Sequence, residues 1–203
     1  MLTGKYKIRW LPAFTFTGLV ATLCLLTLQC TVEKEAANNH ESKGGAPMTI
    51  ALTSSAFSHN DSIPAIHTCD GKDISPSLAW TSLPAGTKSL ALIVDDPDAP
   101  DPKAPKMTWV HWVLYNIPAA ATGLQENGGR GDLPEGTLEG RNNWGRTGYG
   151  GPCPPIGRHR YFFKLYAIDT LLPDLGQPDK NTLLAAMEGH ILDKAELIGT
   201  YRR

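Results

Sequence analysis

A mostly β fold, an antiparallel sandwich or barrel, is what this 203-residue sequence predicts. Three observations carry that reading. Five apolar runs have the length of strands, clusters of Pro, Gly and Asp separate them, and only one stretch near the C-terminus has helical spacing. Strands do not alternate with helices, so a parallel sheet is not expected.

The strand candidates are TIALTSSAF at 49–57, SLAWTSL at 77–83, KSLALIVDD at 88–96, TWVHWVLYNI at 108–117 and HRYFFKLYAID at 159–169. Between them, SLPAGTK and DPDAPDPKAP are turn chemistry, where Pro presets φ and Gly permits left-handed backbone. A long Gly-rich stretch, including ENGGRGDLPEG at 126–136, reads as an exposed loop between 119 and 146. After PDKN, the segment TLLAAMEGHILDKAEL at 182–197 predicts the one convincing helix, with Leu183, Leu184, Met187 and Ile191 on one face and Asn181 or Thr182 as cap. The ending ELIGTYRR predicts a short closing strand.

The first 29 residues do not read as globular. Lys5, Lys7 and Arg9 precede an uncharged apolar stretch from Trp10 to Leu28, the pattern of an export signal and close in length to a membrane anchor. Cys30 at its end resembles the acylated first residue of a bacterial lipoprotein; an uncleaved signal anchor is the other reading. A polar linker, 30–47, then leads to a single domain at 48–203 that is large enough to bury one core. The expected location is outside the cytoplasm, periplasmic or at the cell surface, tethered to a membrane. Of the 19 Lys and Arg, three lie before Trp10, and all 20 Asp and Glu lie after Cys30; the remainder is acidic, which argues against a nucleic-acid partner. In the domain, Cys69 and Cys153 are an even pair, read either as a disulfide closing a long loop or as two separate buried thiols.

Strand alternation locates the polar residues that sit where apolar ones belong. Asp96 ends the stripe of Leu90, Leu92 and Val94; His111 shares a predicted face with Trp109, Val113, Tyr115 and Ile117; His159 shares one with Tyr161, Phe163 and Leu165. Each histidine taken alone reads as a satisfied core residue. Together, beside loops rich in Pro and Gly that let backbone N–H groups approach a ligand, they predict a pocket. The loop GGPCPPIG at 150–157 would form one rigid wall. Two imidazoles, a phenol and a carboxylate suit a small oxyanion such as phosphate, and the same Asp96, His111 and His159 would also make a two-His, one-carboxylate metal site. Nucleophilic catalysis is not indicated: there is no G-x-S-x-G, and prolines flank Cys153 with no helix start beside it.

DPDAP at 96–100, WVHWVLYNIP at 109–118, GPCPPIGRHRY at 151–161, IHTCDGKDISPSLAW at 66–80 and the ending EGHILDKAELIGTY together resemble the phosphatidylethanolamine-binding protein family, in its bacterial branch similar to Raf kinase inhibitor protein. The resemblance implies a Greek-key β-sandwich with one or two short helices near the C-terminus and a small anion pocket at one end. Carried over by position, it assigns ligand binding to Asp96, Asp98, Trp109, His111, Gly151, Pro154, Pro155, His159 and Tyr161. It implies a small anion or a phosphoethanolamine-type phospholipid head group as partner, and no cofactor, metal or catalytic residue. The other function it leaves open is inhibition of a protease or kinase through surface loops. The chain departs from animal members in a shorter loop before His159, in Lys106 and Met107 standing where they carry an aromatic residue, and in an ending soon after GTY.

Overall fold

The computed structural model describes residues 49–128 and 131–203. The expected signal at 1–29, the Cys30 lipidation site and the linker at 30–47 lie outside the described residues. The elements are β1 (Ala51–Thr53), a 3-10 turn (Ala65–His67), β2 (Leu78–Thr81), β3 (Ser89–Asp96), β4 (Trp109–Pro118), β5 (Gly123–Leu124), β6 (Leu138–Glu139), β7 (Arg158–Ile168), α1 (Lys180–Met187) and β8 (Ile191–Arg202). They form two antiparallel sheets, in the orders β1-β2-β5 and β6-β4-β3-β7-β8.

All eight residues of β3 are buried, which explains why LALIV is a continuous apolar run and not an alternating one. On one face Leu90, Leu92 and Val94 pack with Leu52, Leu78, Trp80 and Leu124 from the small sheet. On the other, Ala91 and Ile93 pack with Leu172, Leu183 and Met187, so α1 covers the outer face of the large sheet. Burying side chains of this size removes them from water at a gain of about 1.5–3 kcal/mol each, and most of that gain is centred on β3, β4 and β7.

The C-terminal segment differs from the sequence reading. The helix expected over 182–197 stops at Met187, Gly189 takes a left-handed φ of 80°, and Ile191 onward is a strand of 12 residues. Its cap is Asp179, whose carboxylate accepts from the Thr182 N–H at 2.8 Å, and not Asn181 or Thr182. Ile191 is therefore an exposed strand residue and not part of the helix face. The pairing of β8 with β7, from Ile168↔Ile191 to Arg158↔Arg202, overrides local helix propensity. Ala195, Leu197 and Gly199 point inward at period two, and a Cβ on Gly199 would sit 2.5 Å from Ile63.

β4 also departs from simple alternation. Asp95 faces Val110 and Val94 faces Trp112, so His111 is one residue too many for the ladder and forms a bulge. Val113 and Tyr115 consequently lie on the α1 face, and only Trp109 and His111 of the expected stripe remain together at this end. A second irregularity, with Leu92 opposite Leu114 and Leu90 opposite Ile117, returns Ile117 to the inner core; there Asn116 has a φ of 54° and exchanges two hydrogen bonds with the Leu172 backbone.

Candidate functional site

The bulge aims His111 into a cavity of about 340 Å³ at the end of the sandwich where β3 finishes and β4 and β7 begin. Its wall contains Asp96, Trp109, His111, Pro154, Pro155, His159 and Tyr161. Sequence reasoning also placed Asp98 and Gly151 at the ligand; the structure sets both behind the wall. Asp98 is held by a bidentate Arg160 guanidinium at 2.7 and 2.9 Å and by the Arg160 N–H, and this pairing keeps its carboxyl below the usual carboxylate range. Its own N–H donates to Asp96 Oδ1 at 2.8 Å, so Asp98 ties the DPDAP turn to β7 and fixes Asp96.

The loop 150–157 is anchored almost residue by residue. The Gly150 carbonyl accepts from His111 Nδ1 at 2.7 Å, and a Cβ on Gly150 would meet the Trp144 ring at 2.4 Å. Gly151 donates to Asp73 Oδ1 at 2.6 Å, and a Cβ there would collide with the His67 carbonyl at 2.4 Å. Cys153 forms a disulfide with Cys69 across 84 residues, beside the Cys69 N–H donating to the Pro152 carbonyl. The Ile156 carbonyl contacts His159 Nε2 at 3.0 Å, and Gly157 turns the chain into β7 at a φ of 79°. These bonds and the disulfide fix the loop at Gly150, Gly151, Pro152, Cys153 and Ile156, so the wall keeps its shape without a ligand.

The His159–Asp96 pair inside the cavity is closed on itself. His159 Nδ1 lies 2.7 Å from Asp96 Oδ2, with both side chains buried, and its other nitrogen faces the Ile156 carbonyl. With both ring nitrogens engaged, His159 does not complete the two-His, one-carboxylate metal arrangement. Among the described residues no group of three or more His, Cys, Asp or Glu is placed to hold an ion.

Among the described residues, two buried polar atoms of the wall have no partner: His111 Nε2 and Tyr161 Oη. The rings that carry them meet edge to face with centroids 5.2 Å apart, and the residues are 3% and 1% exposed. Burial pushes the His111 imidazole below its ordinary value, against the opposing pull of the Gly150 carbonyl and of Asp96, Asp95 and Asp73. Burial, with Asp96 nearby, pushes the Tyr161 phenol well up, so it stays a hydroxyl. The cavity thus offers one imidazole nitrogen and one phenol to whatever enters.

The rest of the wall is mostly apolar, and sequence reasoning missed several of its members: Ala99, Pro100, Met107, Trp144 and Cys153. Trp144 stands edge-on to both Trp109 and His111, with centroids 5.4 and 5.2 Å away, and is 43% exposed at the mouth. Asn142 builds its loop, accepting from the Trp144 and Arg146 N–H groups while its amide donates to the Gly148 carbonyl. A Trp among Asn and Gly in GRNNWGR was the available signal. Arg146 lies 5.9 Å from the Trp144 ring and 3.9 Å from Asp73, and Arg141 is outside this wall.

The phosphatidylethanolamine-binding protein family model matches residues 53–202. A UPF0098 protein of Methanothermobacter thermautotrophicus is 52% identical over 153 residues, which are 75% of this chain and 98% of the relative. The crystal structure of a phosphatidylethanolamine-binding protein homologue from Chlamydia trachomatis is 42% identical with a TM-score of 0.70, covering 77% of this chain and 99% of that one. Escherichia coli YbcL, described as a member of the mammalian family, is 34% identical with a TM-score of 0.69 over 76% and 98% of the two chains. By sequence, fold and the order of its motifs, the chain belongs to the phosphatidylethanolamine-binding protein family.

Proposed function

We propose that this chain is an exported, membrane-tethered binding protein without a catalytic step, whose pocket holds a small oxyanion or a phosphoethanolamine-type head group. One observation carries the reading: His111 Nε2 and Tyr161 Oη are buried, unpartnered and in the wall of one cavity. Leaving a buried polar atom unpaired costs about 1–3 kcal/mol, and two such atoms in the wall of one cavity are what a polar ligand would satisfy. The phenol donates to an oxyanion, while the indoles of Trp109 and Trp144 give an alkyl-ammonium group a surface to lie on. Both cysteines of the disulfide are exposed, which suits an oxidising compartment and supports export, as does the apolar stretch at 10–28.

The test is a titration of phosphate and of phosphoethanolamine into the full-length protein, following the imidazole resonances of His111 and His159 by NMR. Saturable shifts that His159→Ala abolishes are expected, because that variant removes the partner of Asp96 and the anchor of the Ile156 carbonyl. No shift up to millimolar ligand would sink the reading and turn attention to the outer loop at 120–148 as an interaction surface.

A further inference from the structure

We infer that the pocket reads a proton on its anion: it takes a phosphoryl group that carries a hydroxyl in preference to sulfate or a phosphodiester. The inference rests on the anion-binding reading above and narrows it to a chemical class.

A carbonyl oxygen only accepts, and the Gly150 carbonyl lies 2.7 Å from His111 Nδ1, so that nitrogen carries the proton. In the neutral ring Nε2 is then a lone pair. Among the described residues nothing donates to it. The groups facing the ring are Asp96 on β3, His159 and Tyr161 on β7, and Asp73 below the loop, with Asp95 behind the strand. The three carboxylates favour a second proton and complete burial opposes it more strongly.

The Asp96–His159 pair is already engaged. Asp96 accepts from the Asp98 N–H and lies against His159, whose second nitrogen faces Ile156. Among the described residues, the buried polar atoms left unpartnered in this wall are therefore an acceptor, His111 Nε2, and a hydroxyl, Tyr161 Oη. A P–OH donating to the imidazole beside a P–O⁻ accepting from the phenol satisfies both. Sulfate and phosphodiesters at neutral pH have only acceptors, and either would set a negative oxygen against the Nε2 lone pair. A site built to pair a ligand proton rejects the analogue that lacks it, because the buried atom is left open.

Inorganic phosphate keeps a hydroxyl throughout the neutral range, whereas a phosphomonoester gains one as pH falls through about 6. The shared chemistry is a hydroxylated phosphoryl group, free or on a lipid, and the experiment separates those sources. Binding to the full-length protein at pH 7.5 is measured calorimetrically with inorganic phosphate, sulfate and glycerophosphoethanolamine, and at pH 6 with vesicles containing phosphatidic acid or only phosphatidylethanolamine. Phosphate is expected to bind at least about tenfold tighter than sulfate and than the diester. Of the vesicles, only those with the monoester lipid should bind if the source is a membrane, and neither if it is soluble phosphate.

In His111→Gln the amide can present either oxygen or nitrogen, so the phosphate-to-sulfate ratio should narrow to about twofold. If that variant does not fold, the wild-type ratios decide alone. Sulfate or the diester binding within about twofold of phosphate in the wild type overturns the inference and leaves the anion-binding reading standing. No binding of any anion overturns both.

Discussion

Asp95 and Asp96 are consecutive residues of β3, buried at 0% and 4% exposure, and they face opposite sides of the same sheet. Asp95 lies on the α1 side, where the Lys164 ammonium reaches both its oxygens at 2.8 and 3.0 Å and Lys180, from the first turn of α1, reaches one. Its charge is answered by the protein alone. Asp96 lies on the pocket side, answered by His159 and the Asp98 N–H, and next to it two ring atoms remain unanswered. The difference separates polar burial that closes a structure from polar burial that waits for a ligand. Substitutions on the first side should change stability without binding, and those on the second should do the reverse.

The disulfide offers the largest effect and the sharpest challenge, because Cys153 lines the pocket yet its bond closes a loop of 84 residues. If it acts by restricting the unfolded chain, replacing both cysteines by Ser costs about 4 kcal/mol in urea denaturation. Phosphate affinity should stay within about twofold, since Asp73, Cys69 N–H and His159 still hold the loop. A large loss of affinity with little loss of stability would instead make the bond part of the ligand site.

Next in size is Asp95→Asn, which removes the charge between two ammonium groups. Breaking a buried pair costs about 3–5 kcal/mol when the remaining charge stays buried; here both lysines are about one-fifth exposed and reach water, so about 2 kcal/mol is expected. Anion affinity should not move, and a tenfold change would erase the distinction between the two faces.

The pH dependence of stability is a smaller effect and belongs to the pocket side. Burial lowers the folded-state value of His111, so between its unfolded value of about 6.5 and the folded one the unfolded chain binds the extra proton. Its contribution is present above about pH 6.5 and is lost as the pH falls below that toward the folded value. Denaturation midpoints at pH 7.5 and 5.5 should therefore differ less in His111→Gln than in the wild type; an unchanged difference would assign the effect to other groups.

What the sequence made legible follows from where each feature is decided. β3, β4 and β7 were readable to within one or two residues because their apolar runs are bounded by turn chemistry of their own. β8 was not, since ILDKAEL consists mostly of residues acceptable to a helix and becomes a strand only by pairing with β7. The bulge at His111 could not be seen either, because a bulge is a count of residues against the partner strand. Alternation still brought Asp96, His111, His159 and Tyr161 to one place. Arg160, between His159 and Tyr161 on β7, pairs instead with Asp98, just beyond the end of β3. Trp144 and Met107 reach the wall through loop docking, which local spacing does not encode.

Tyr161→Phe is the smallest change in structure and bears most directly on the two faces. Among the described residues the buried Tyr161 hydroxyl has no hydrogen-bond partner, so removing it frees the protein of an unpaired polar atom while the ring keeps its edge-to-face contact with His111. Folding stability should therefore be unchanged or slightly higher, by up to about 1 kcal/mol. The same deletion removes the hydroxyl donor that Tyr161 brings to the pocket, and phosphate affinity should fall about tenfold. Both readouts come from one variant: affinity must fall while stability does not. A destabilised protein with unchanged affinity would mean that the hydroxyl has a structural partner in solution and that Tyr161 belongs with Asp95 among the groups the fold keeps for itself.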